Sequence, residues 1–81
     1  MTRLPLHVGF GRAVRRIRAE RDLSQEGLGF RAGMHRNYVG RVERAEGAAT
    51  LRTVEALADA LEISASDLIA QSETYAACGE R

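Results

Sequence analysis

Apolar residues recur along this chain at helical intervals, in stretches separated by polar or glycine-bearing joints. Phe10, Val14 and Ile17 stand four and three apart, which predicts an amphipathic helix from about Gly9 to Arg21. Leu28 and Ala32 share one face behind Ser24, a capping residue type, and predict a second helix over about Gln25 to Ala32. After Gly33, Val39 and Val42 turn inward in a third helix over about His35 to Arg44. Thr50 is placed to cap a fourth helix from Leu51 to Leu61, with Val54, Leu57, Ala58 and Leu61 inward. Ser64 with Asp67 makes an S-x-x-D capping pattern and starts a short fifth helix through about Ala70. The fold class read from this pattern is all-α with five helices. Residues 1–8 lack periodicity, and Pro5 disfavours helix at Leu4, so they are expected to form a flexible arm. Residues 72–81 are small and polar and are expected to form a flexible tail, leaving 9–71 as the folded domain.

The joint between the second and third helices is the most informative point. A tight corner between helices needs a residue tolerant of positive φ, and Gly33 stands there. Gly29 lies four residues earlier, where two helices would cross closely and leave no space for a large side chain. With Met34, Val39 and Val42 following in order, residues 25–44 read as a helix-turn-helix. The second helix is intrinsically poor, because Gly27 and Gly29 each cost ~1 kcal/mol relative to alanine. Gly11 carries a similar penalty early in the first helix. Packing is therefore expected to hold these segments helical.

SQEGLGFRAGMHRNYVGRVER resembles the Xre-type, phage-repressor-like family of helix-turn-helix regulators. The likeness extends outward: FGRAVRRIRAERDLSQEGL resembles that family's first helix and the entry to the second. TLRTVEALADALEISASDLI resembles its fourth and fifth helices. Within the family, HRNYVGRVER is similar to the small controller regulators of restriction–modification systems. The resemblance implies a lambda-repressor-like domain in which Arg18 pairs with Glu43 beneath the motif and Gln25 meets a phosphate. It also shows departures. Gly27 stands where a glutamate often completes a capping box. His35 replaces a preferred serine or threonine at the third helix's cap, so weaker capping is expected there. In the following loop, Glu46 and Ala48 replace polar or basic residues that hold phosphate in relatives.

Charge agrees with a nucleic-acid partner. The 81 residues carry a net charge of only +1, yet residues 1–44 hold ten arginines against four acids, and residues 45–81 hold two against seven. A basic half can approach a polyanion while an acidic half stays clear of it. Helices of this type enter the major groove N-terminus first, which makes His35, Arg36, Asn37 and Arg41 the candidate base readers. Arginine can take guanine O6 and N7 together, and asparagine adenine N6 and N7. Gln25, Tyr38 and Arg44 are the candidate phosphate contacts. Phe30 falls on the outer side of its helix and is expected to cover the N-terminal arm.

Other chemistries find little support. His7 and His35 are far apart, no His-x-x-x-His or Cys-x-x-Cys pair suits a metal, and no glycine loop follows a strand. No catalytic residue, cofactor or small-molecule ligand is expected. No apolar run approaches the ~20 residues that span a bilayer. The lone Cys78 fits a reducing cytoplasm. A small core and a short reading helix both favour a homodimer on double-stranded DNA. The dimer contact is expected at the acidic end, from Leu61, Ile63, Leu68 and Ile69, with Leu68 or Ile69 at its centre. The competing reading is an antitoxin-like protein partner that also binds its own promoter.

Overall fold

The computed structural model describes residues 3–47 and 49–78. Five α-helices run through them: α1 (Leu6–Glu20), α2 (Gln25–Ala32), α3 (Arg36–Glu43), α4 (Leu51–Ala60) and α5 (Ala65–Cys78). No strand occurs among the described residues. Three helix starts use hydroxyl caps. Ser24 Oγ accepts from the Gly27 N–H at 2.9 Å, Thr50 Oγ1 from Thr53 at 3.1 Å, and Ser64 Oγ from Asp67 at 3.0 Å. Each closes a donor that the first turn of a helix leaves without an internal partner.

The core gathers Phe10, Val14 and Ile17 of α1, Leu28 of α2, Val39 of α3 and Leu57 of α4. Leu61 and Leu68 complete it, and both are fully buried in the single chain. Burying such a leucine contributes about 1.5–3 kcal/mol. The expectation that these two residues form a dimer contact is thereby corrected. Each is already covered by its own domain, while Ile63 and Ile69 remain half-buried.

Toward both ends, the described residues hold more structure than their composition suggests. α1 begins at Leu6, not near Gly9, because Pro5 occupies the N-cap with φ −58° and ψ 148°. A proline there forfeits no helical N–H bond. The Leu4 N–H then donates to the Ala76 carbonyl at 2.8 Å, which ties the expected arm to α5. At the other end, α5 continues to Cys78 where a tail was expected from residue 72. Small residues make this possible. A Cβ on Gly9 would run into the Ser72 carbonyl oxygen and lie 2.9 Å from the Ala76 nitrogen, so α1 and α5 pack backbone to backbone. Ser72 is buried there, and its hydroxyl donates to the Leu68 carbonyl at 2.7 Å. Residues 1–2 of the expected arm and 79–81 of the expected tail lie outside the described residues.

Candidate nucleic-acid interface

The corner between α2 and α3 is built by two glycines acting in different ways. Gly33 is the C-cap of α2 at φ 72° and ψ 33°, in the left-handed region that glycine enters without a Cβ clash. Gly29 supplies space: a Cβ there would sit 2.5 Å from the Met34 carbonyl oxygen, and the Met34 N–H donates to the Gly29 carbonyl at 2.9 Å. The chain therefore turns sharply enough to set α3 across α2. His35 caps α3 through Nδ1, which accepts from the Asn37 N–H at 2.9 Å. A side-chain cap is thus present where a weaker one was expected. It requires Nδ1 to be unprotonated, so a neutral His35 carries its proton on Nε2.

α3 has two faces. Val39 and Val42 are buried against the core, whereas Arg36, Asn37 and Arg41 are exposed on the opposite side with His35 beside them. The four candidate base readers therefore lie together on the outside of one helix. Arg36 leans back toward α2, its Nη1 lying 3.8 Å from Glu26 Oε1. The Arg41 guanidinium lies over Gly47, where a Cβ would come within 3.2 Å of Nη2.

Beneath this face, Arg18 and Glu43 form a two-point ion pair, Nε–Oε2 at 2.6 Å and Nη2–Oε1 at 3.0 Å. Arg18 Nη1 also donates to the Leu23 carbonyl at 2.9 Å. The hydrogen bonds to Glu43 raise the Arg18 pKa above its ordinary value despite the opposing effect of burial. α1 supports the same junction by close approach, since a Cβ on Gly11 would meet the carbonyl oxygens of Val42 and Glu43. The glycine that looked like a weakness in the first helix is a contact point for the third.

The candidate phosphate ligands all have intramolecular partners. Gln25 Nε2 donates to Glu43 Oε1 at 3.0 Å, which leaves its second amide hydrogen and the first backbone N–H of α2 for other acceptors. The Tyr38 hydroxyl is half-buried and lies 3.2 Å from Thr53 Oγ1 of α4. Arg44 is exposed but held by Glu46, with Nε–Oε2 at 3.1 Å and Nη2–Oε1 at 3.3 Å. Those hydrogen bonds, followed by the charges of Arg44 and Arg41, hold the Glu46 carboxyl below the usual carboxylate range. The partners Glu26 and Thr53 were not identified from the sequence. They lie on other helices, and only the helix crossings bring them into reach.

Two large apolar side chains are exposed, and one of them differs from expectation. Phe30 is 88% exposed and lines a cleft with Glu26, Met34, His35 and Arg36 at the start of α3. It stands beside the base-reading face and, among the described residues, does not cover the N-terminal segment, because its outward position on α2 aims it toward the α3 cap. Leu51 is 87% exposed at the start of α4. Nearby Ala49 and Val54 line an apolar depression of about 240 Å³ with Leu6, His7, Phe10 and Ile69.

A family model described as helix-turn-helix matches residues 14–68, from the middle of α1 into α5. The chain belongs to the helix-turn-helix family. Among relatives within it, the control protein C.SmaI of Serratia marcescens is 46% identical over 56 residues, 69% of this chain and 67% of that protein. The control protein C.BamHI of Bacillus amyloliquefaciens is 36% identical over 61 residues, 74% of this chain and 75% of that protein. Among solved structures, the restriction-modification controller protein C.AhdI from Aeromonas hydrophila superposes with a TM-score of 0.74 at 42% identity. That match covers 76% of this chain and 94% of the other. As a helix-turn-helix protein, the chain has its corner at Gly33 and α3 in the place of the reading helix.

Proposed function

We propose that this protein is a sequence-specific DNA-binding regulator of the restriction–modification controller kind, acting in the cytoplasm as a homodimer on a two-fold operator. The observation that carries the reading is α3 itself, with Arg36, Asn37 and Arg41 exposed on one side of the family's reading helix. Arg36 and Asn37 occupy its first turn, the part that enters the major groove, with His35 at the cap and Arg41 one turn deeper. Arg36 offers a guanidinium fork to guanine O6 and N7, and Asn37 offers its amide to adenine N6 and N7. Gln25 and Arg44 flank this face and meet phosphate, with Tyr38 as a further contact through its hydroxyl. Arg18 and Glu43 hold the support beneath it.

The dimer contact is re-assigned to the apolar depression and the leucine next to it. Leu51 is exposed and stands in sequence between Ala49 and Val54, two residues of the hollow's lining, so a second copy related by a two-fold axis would place each Leu51 against the partner's hollow. Ile69 keeps its expected role in this arrangement, and Ile63 stands half-buried on the core nearby in sequence. Two reading helices then lie ~34 Å apart, one turn of DNA. Occupancy follows protein concentration, because dimerisation obeys mass action.

Selection from a randomised duplex pool, followed by titration of Arg36→Ala, tests the reading. The variant is expected to lose ~1–3 kcal/mol on the selected site and to relax preference at one base position. Equal losses on selected and random duplexes would refute the base-reading role.

A further inference from the structure

The segment after α3 is a compact C-terminal cap that aims an acidic side chain back at the helix it follows. Ala45 takes the left-handed conformation at φ 60°. Its N–H donates to the Val42 carbonyl at 3.0 Å, and the Glu46 N–H donates to the Arg41 carbonyl at 2.8 Å. That pair of bonds is the Schellman arrangement, and it fixes the Glu46 backbone against the last turn of α3. From there the Glu46 carboxylate takes both forks of Arg44 at 3.1 and 3.3 Å.

Two features argue against a purely stabilising purpose. Both side chains are more than half exposed, at 58% and 54%, where ion pairs add little. A carboxylate at the carbonyl end of a helix also stands on the unfavourable side of the helix dipole. What the pair does accomplish is to occupy two of the five donors of Arg44 and to set a carboxylate against the charge with which it would meet a phosphate.

Building on the DNA-binding reading above, we propose that Glu46 competes with DNA phosphate for Arg44 and so lowers the sequence-independent part of the protein's affinity. On the duplex, Arg44 either stays with Glu46 or leaves it for a phosphate, and each retained pair forfeits one phosphate contact. The free protein thus holds Arg44 back as a phosphate ligand. Base-reading groups on the first turn of α3 then carry a larger share of the binding.

The test is a double-variant cycle on a random-sequence duplex, with salt titrations of the wild type, Glu46→Gln, Arg44→Ala and the combined variant. One added phosphate contact steepens the dependence of log K on log salt by ~0.9, which at 0.1 M salt is roughly an eightfold tighter complex. Glu46→Gln is expected to show both changes, and the combined variant to show neither relative to Arg44→Ala. Glu55→Gln, an exposed acid on α4, controls for the general loss of one negative charge. A Glu46→Gln gain no larger than that of Glu55→Gln overturns the proposal, as does a gain that persists without Arg44. In either case a wild-type protein that still binds duplex leaves the regulator reading intact. A wild-type protein that binds no duplex at low salt overturns both.

Discussion

The ion pair between Arg18 and Glu43 offers the sharpest test of how α1, α2 and α3 are locked. Glu43 accepts two hydrogen bonds from Arg18 and one from Gln25, and its side chain is only 4% exposed. Arg18 is 16% exposed and keeps a further bond to the Leu23 carbonyl. Removing one partner strands the other charge, which costs ~3–5 kcal/mol at buried sites. Arg18 retains a carbonyl partner and some water, so Glu43→Leu should fall near ~3 kcal/mol. Arg18→Met strands the more buried carboxylate and should reach the upper end of the range. An 81-residue domain has roughly 4–12 kcal/mol in total. Either variant therefore loses a large part of it. The double variant removes both charges together and should cost under ~2 kcal/mol, giving a coupling of at least ~4 kcal/mol. Urea unfolding followed by far-UV circular dichroism measures all four proteins. It must be run at one protein concentration, because dimerisation links stability to concentration. Single costs that sum to the double cost within ~0.5 kcal/mol would refute a cooperative pair.

Two further outcomes test the corner and the dimer face. Gly29→Val places branched carbons where even a Cβ comes 2.5 Å from the Met34 oxygen, and should cost at least ~2 kcal/mol, read as a lowered melting temperature. A melting temperature equal to the wild type's would mean that α2 and α3 can separate without loss. Leu51→Asp should leave the monomer folded, since that side chain is 87% exposed, but shift sedimentation from dimer to monomer. Leu68→Asp should instead unfold the domain, because it buries a charge without a partner. A Leu51→Asp protein that stays dimeric would move the interface away from α4.

The residues alone determined a good deal. Period-3.6 stripes such as Phe10, Val14 and Ile17 mark helix and inward face together, because a side chain's direction follows from its place in the turn. Ser24, Thr50 and Ser64 mark three of the starts, since capping is a local bond between a side chain and an N–H two or three residues on. Gly33 marked the corner for an equally local reason, its φ of 72°. The resemblance added the Arg18–Glu43 pairing, which no spacing could supply.

Tertiary packing decided the rest. Ser72 and Ala76 look like a weak tail in the sequence, and they become a buried helix face only because Gly9 lets α1 approach them. Leu61 and Leu68 looked like spare apolar surface, yet packing within the domain buries both, and Leu51 is the exposed leucine instead. Glu26, Thr53 and Glu46 reach Arg36, Tyr38 and Arg44 through helix crossings and a left-handed turn at Ala45. Hydrophobic periodicity records which side of a helix is dry. It carries no record of which neighbour dries it, and the partners of the polar side chains depend on that neighbour.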